Sequence, residues 1–189
     1  LASLDFLGES VSTIAEAEQA GDEYLAMLDA IASEKLNSNV SLKLTQMGFD
    51  VDEAACTRII ESLLERAAQT GNFVRIDMEG TPHTDRTLRV FRALHAEFDN
   101  VGLVVQAYLY RTAADVEALI AEGVRLRLCK GAYKEPAEKA FPKKADVDEN
   151  YDRLAERMLD AARDWPPAEH AGRYPPLPAL ATHDETRIT

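Results

Sequence analysis

The chain has 189 residues and a formal net charge of −12, with a pI near 4.8. A general nucleic-acid binder normally carries a basic stripe, so this acidic balance speaks against that class and against broad electrostatic docking on anionic lipid. Hydrophobic residues make up 46% and charged residues 29%, which suits one folded domain with a substantial core.

No apolar run approaches the length of a membrane span, and no signal-peptide pattern is visible. Cys56 and Cys129 form neither a disulfide framework nor a zinc-ligand spacing, so a reducing cytoplasm is the expected compartment. The chain opens on Leu1, directly in a strand-like run, which gives the expectation of a piece of a longer protein.

In chain order, short apolar runs alternate with longer helical patterns. ASLDFLG (2–8) reads as a strand, and the following helix (11–34) takes Ser10 or Ser12 as its N-cap. NVSLKL (39–44) is the second strand, followed by a helix with Asp50 or Asp52 near its start and Gly71 past its end. FVRIDM (73–78) is the third strand, and TDRTLRVFRALHAEF its helix. VGLVVQAYLY (101–110) is the fourth strand, apolar enough to be buried on both faces, with a helix capped by Thr112 and stopped at Gly123. VRLRLCK (124–130) is the fifth strand, followed by a helix over 146–164. A Pro-rich loop (165–178) then leads to ALAT (179–182), the sixth strand.

Repeated strand-helix order implies right-handed crossovers and a parallel sheet covered by helices. A doubly wound nucleotide binder would carry a Gly-rich phosphate turn after its first strand. Here that turn reads LGESVST, with neither the dinucleotide fingerprint nor a P-loop. The expected fold is therefore a (β/α)8 TIM-type barrel. Such barrels take about 250 residues, so this chain covers six β/α units. The last two units and a terminal helix are expected outside the sequence, and these residues alone are not expected to close a barrel.

The strand ends carry Glu9, Lys43, Asp77 with Glu79, Gln106, Arg127 with Lys130, and Thr182 with His183. In a barrel they meet at one mouth, where active sites lie. Arg127 sits between Leu126 and Leu128; if the leucines pack against the helices, Arg127 points into the barrel with a permanent charge. A structural ion pair with Asp77 is the alternative. One histidine among several cations does not suit a divalent metal, whereas an anion or an electron-rich ring does. A Schiff-base lyase using Lys43 or Lys130 stays open on these residues.

SLKLTQMG (41–48), FVRIDMEG (73–80), VVQAYLYRT (104–112), LRLCKGAYKEP (126–136) and ATHD (181–184), in this order, together resemble proline dehydrogenase. LDFLGE (4–9) is similar to that family's first barrel strand. The likeness covers essentially the whole chain, in the manner of a monofunctional enzyme or of the corresponding domain of a proline utilisation A-type protein. It implies an FAD-dependent barrel that oxidises L-proline to 1-pyrroline-5-carboxylate and passes electrons to a quinone, with no nucleic-acid partner. Contact with the inner face of a membrane goes with a quinone acceptor.

Carried over by position, the resemblance sets Arg127 beside flavin N5 and Gln106 on the isoalloxazine ring. Lys130, Gly131 and Ala132 follow the pyrophosphate and ribose, while Thr182 and His183 hold the adenylate half. Lys43, Asp77, Leu128 and Tyr133 line the proline pocket, with Glu9 as charge partner of Lys43. Arg127, Lys43 and Asp77 are the residues expected to serve catalysis. The Arg-Arg pair and glutamate of the family's last barrel helix, which grip the proline, have no counterpart in the 189 residues. The remaining alternative, which is not enzymatic, is a truncated, inactive flavin- or partner-binding module.

Overall fold

The computed structural model describes residues 2–163, 165 and 174–188. Six strands and six helices alternate: β1 (Ala2–Leu4), α1 (Ile14–Ser33), β2 (Ser38–Leu42), α2 (Glu53–Gln69), β3 (Val74–Ile76), α3 (Thr81–Glu97), β4 (Val101–Gln106), α4 (Thr112–Ala121), β5 (Arg125–Cys129), α5 (Lys144–Ala162), β6 (Ala179–Ala181) and α6 (Glu185–Ile188). All pairings are parallel, and the sheet order is β1-β2-β3-β4-β5-β6. A doubly wound sheet reverses direction at a switch point. Here each unit steps the same way, so the sheet curls into a half-barrel, as the barrel expectation requires. Among the described residues β1 and β6 are its two edges.

Strand alternation sorts the side chains. Val40 and Leu42, Val74 and Ile76, Leu103 and Val105, and Leu126 and Leu128 are all buried in one core. Helix residues including Tyr24, Leu28, Ile60, Leu64, Phe91, Leu119, Leu154 and Met158 belong to the same core. The register aligns Ser41 with Arg75, Arg75 with Gly102, and Gly102 with Arg125, on the opposite, concave face. Polar chemistry thus sits inside the curl and apolar packing outside it.

Local chemistry moved several boundaries. Only Ala2–Leu4 of the expected first strand pairs with β2; beyond it, the Asp5 carboxylate turns to the buried Tyr24 hydroxyl at 2.8 Å. Thr13, rather than Ser10 or Ser12, caps α1, in a reciprocal capping box with Glu16. Asp52 caps α2 as anticipated. Thr112 is not a cap: it is the first residue of α4, and its hydroxyl donates to the Gln106 carbonyl at 2.5 Å. Gly71 and Gly123 follow their helices with positive φ, the geometry glycine favours at a helix end. The Pro-rich loop falls largely outside the described residues.

Candidate active site

The centre of the concave face is a single carboxylate oxygen. Asp77 follows β3, and its Oδ1 accepts from the Ser41 hydroxyl of β2 at 2.5 Å and from Arg127 Nη2 of β5. Arg127 Nη2 also donates to Ser41 Oγ at 3.0 Å. The side chains of Arg127 and Asp77 are about one-fifth exposed, so the pair opens toward the mouth while staying in a reduced-dielectric setting. Lys43, two residues after Ser41, lies 3.7 Å from Asp5 and 3.8 Å from Glu9. These are loose contacts that leave an ammonium group beside the mouth.

Around this centre the polar groups are held in place. Gln106 is buried and its Nε2 donates to the carbonyls of Glu79 at 2.9 Å and Met78 at 3.3 Å. Glu79 is buried in turn, accepting from Thr45 N at 3.1 Å and Thr45 Oγ1 at 2.6 Å, and burial raises its carboxyl pKa. Arg75, below Asp77 on β3, is almost fully buried; burial, with repulsion from Arg127, lowers its pKa to about 9. Tyr133 feels burial first and then the negative charges of Glu79, Glu9 and Asp77, all of which push its phenol upward. Its ring lies over Gly80, where a Cβ would come within 3.9 Å of Tyr133 Cδ1, beside the turn that carries Asp77.

A cavity of about 1000 Å³ lies between the ends of β5 and β6, and its lining reaches Cys129, two residues beyond Arg127 on β5. Cys129, Lys130, Gly131, Ala132, Thr182 and His183 contribute to its lining. Gly131 has φ +123°, and a Cβ there would lie 2.3 Å from the Tyr108 ring, so no other residue fits without displacing that ring. Lys130 Nζ is held by Asp148 of α5 at 2.5 Å and by Asp184, which precedes α6, at 2.6 Å. Hydrogen bonds from Lys130 are the first cause of the lowered pKa of both carboxyls.

The family pattern for proline dehydrogenase matches residues 1–189.

The chain belongs to the proline dehydrogenase family.

Proline dehydrogenase 1 of Bacillus subtilis (strain 168) is 39% identical over 187 residues, covering 99% of this chain and 58% of the relative. Proline dehydrogenase of Deinococcus radiodurans is 36% identical over 191 residues, covering 98% and 57%. The chain thus spans well under two-thirds of the length of these curated relatives. Among solved structures, proline utilization A of Bradyrhizobium japonicum (mutant D779W) superposes with TM-score 0.76 at 25% identity. That match covers 85% of this chain and 20% of that one.

Within the proline dehydrogenase frame, the residues expected at the site form two neighbouring groups. Lys43, Asp77, Arg127 and Tyr133 gather at the mouth with Glu9, and Lys130, Gly131, Ala132, Thr182 and His183 line the adjoining cavity. Gln106 stands in register with Cys129, between the two. One expectation is overturned: Leu128 does not line a substrate pocket. It is fully buried in the apolar core, because on a strand it must face away from Arg127. The same alternation that turned Arg127 inward already implied this.

Sequence reading missed Ser41, Asp5 and Asp148. Ser41 was within reach of it, since a residue two before Lys43 shares its face. The Schiff-base alternative loses one of its two candidates here. Lys130 is hydrogen-bonded to two carboxylates that raise its pKa, whereas an attacking amine must be neutral.

A flavin dinucleotide fits the residues present. The cavity is large enough for an extended ligand, the Gly131 backbone carries no side chain, and Lys144 lines it together with Lys130, which a phosphate would draw from its carboxylate partners Asp148 and Asp184. Among the described residues no cluster of His, Cys, Asp and Glu is suited to a metal ion, and no helix is long and apolar enough to cross a membrane.

Proposed function

We propose that this chain carries the flavin- and proline-binding face of an FAD-dependent proline dehydrogenase, which oxidises L-proline to 1-pyrroline-5-carboxylate and gives the electrons to a quinone. The observation that carries this reading is the Ser41–Asp77–Arg127 cluster beside the cavity lined by residues 129–132 and 182–183. The same reading counts residues 1–189 as six units of an eight-unit barrel.

FAD, if bound, would supply the two-electron acceptor for a hydride leaving the proline ring. Lys130, Gly131, Ala132, Thr182 and His183 would hold its phosphate and adenylate parts, with Gln106 and Arg127 at its ring. The rest is the work of this chain's side chains. Asp77 and Ser41 fix the Arg127 guanidinium, so a positive charge is already aimed where negative charge develops and no reorganisation is needed. Lys43 attracts the substrate carboxylate, and its loose contacts with Asp5 and Glu9 let it exchange partners. Tyr133 offers a flat wall to a five-membered ring. The substrate amine must be neutral to react, so the rate should climb as pH rises toward the amine pKa. A quinone acceptor implies contact with a membrane surface.

The test is direct. Purified full-length protein should contain FAD, and L-proline should bleach its visible absorbance without oxygen while a pyrroline product accumulates. A colourless protein that cannot be reconstituted with FAD, or a flavoprotein indifferent to proline, would refute the assignment.

A further inference from the structure

The turn between β3 and α3 carries Asp77 and ends at Gly80, which has no side chain with which to cap the helix. The first turn of α3 contains no acidic residue either. Its first amide is met from 54 residues away: Glu135 Oε1 accepts from Thr81 N at 2.7 Å, and Glu135 Oε2 accepts from Thr81 Oγ1 at 2.5 Å. A carboxylate at that point satisfies an N–H that the helix cannot satisfy itself, and it faces the positive end of the helix dipole.

Glu135 stands two residues after Tyr133, on the strap that joins β5 to α5. A Cβ built on Gly80 would lie 3.4 Å from Glu135 Oε1 and 3.9 Å from Tyr133 Cδ1, so both side chains rest over that glycine. The far half of the strap is tied mainly elsewhere, with one further link as Lys139 Nζ donates to Thr81 Oγ1 at 3.3 Å. Tyr110 N donates to Lys139 O at 3.1 Å, Phe141 N to Tyr108 O at 2.8 Å, and the Tyr110 and Phe141 rings meet edge to face at 4.6 Å. Backbone pairing with the segment after β4 therefore anchors residues 139–141, while the Glu135 carboxylate anchors the Tyr133 end to the turn that bears Asp77.

We propose that Glu135 is a positioning residue: its clasp on the start of α3 fixes the distance between Tyr133 and Asp77 and so sets the affinity for the substrate ring. This rests on the reading of Tyr133 and Asp77 as walls of the proline pocket. Glu135 touches neither substrate nor cofactor. Its removal loosens the pocket without removing any group that takes part in the reaction.

Two measurements on the full-length protein test this. The first needs no turnover: trypsin cleavage after the exposed Lys139, whose adjoining residues are the same in every variant, is timed by mass spectrometry. Glu135→Ala should accelerate it about tenfold, in line with losing charge-assisted hydrogen bonds. The second is the split between KM and kcat. Glu135→Ala should raise KM for L-proline about tenfold and leave kcat within about twofold. Glu135→Gln keeps the size and one acceptor oxygen, so it should restore most of both properties and serves if the alanine variant folds poorly. Cleavage at the wild-type rate would overturn the clasp. Faster cleavage with unchanged KM, or a fall in kcat alone, would overturn its role in substrate affinity. A wild-type protein that ignores proline would sink the catalytic reading while the cleavage rates still decide whether the clasp exists.

Discussion

Arg127 and Asp77 meet across an intervening strand. One projects from β5 and the other follows β3, with β4 between them, and Ser41 of β2 closes on the same carboxylate oxygen. Four adjacent strands are thereby drawn together over the concave face by one partly buried ion pair. The pair is at once the structural ion pair and the element aimed at the mouth.

Because the two side chains hold each other, they should behave as a unit under mutation. Asp77→Ala and Arg127→Met are each expected to lower kcat/KM by about a hundredfold, the scale of losing a positioned charge. The double variant should lose little more than the worse single one. Steady-state kinetics on the three variants checks this; fully additive losses would mean independent roles.

Arg75 presents the opposite case. Its guanidinium is buried beneath the pair, and its Nε has no hydrogen-bond partner among the described residues. Replacing a poorly compensated buried charge with an apolar side chain of similar length is often neutral or stabilising, by up to about 3 kcal/mol. Arg75→Met should therefore keep or raise the urea midpoint. A marked loss of stability would mean that its attraction to Asp77 and its contact with the Phe73 ring outweigh the cost of burying the charge.

The two thiols should be unreactive. Burial pushes Cys129 up to about 11 and Cys56 up to about 12, and both are free. At neutral pH almost no thiolate is available. Iodoacetamide should label both far more slowly than a free cysteine until the protein is unfolded in urea. Rapid labelling of Cys129 in the native protein would contradict its assignment as an inert part of the cavity wall.

Acid should release the end of the chain around Lys130. Hydrogen bonds from Lys130 depress the carboxyl pKa values of Asp148 and Asp184 below the usual range. A carboxyl with a depressed folded pKa contributes stability that is complete above its unfolded value and is lost as pH falls toward the folded one. Thermal unfolding between about pH 6 and pH 3 should show this decline. It should be shallower in Asp184→Asn, whose amide no longer titrates; equal slopes would remove Asp184 from the linkage.

Much of this was legible from residues alone, and the reasons are physical. Strand order followed from the regular alternation of elements together with the lack of a Gly-rich phosphate turn after the first strand, and the inward turn of Arg127 followed from period two between Leu126 and Leu128. The same rule placed Leu128 in the core, against the role carried over from the family. The true start of α3 at Thr81 was hidden, because its cap comes from Glu135 rather than from a neighbouring residue. The Lys130 cluster was hidden for the same reason: Asp148 and Asp184 reach it from two different segments. Local patterns report the face of a strand well, but not which distant carboxylate arrives at a given cation.

The most direct test of the central claim, that Arg127 on the concave face serves flavin-linked oxidation of proline, is the rate at which L-proline bleaches the flavin absorbance in an anaerobic stopped-flow. Wild-type full-length protein should bleach, and Arg127→Met should retain its flavin yet bleach about a hundredfold more slowly. Bleaching at the wild-type rate in the methionine variant would contradict the claim.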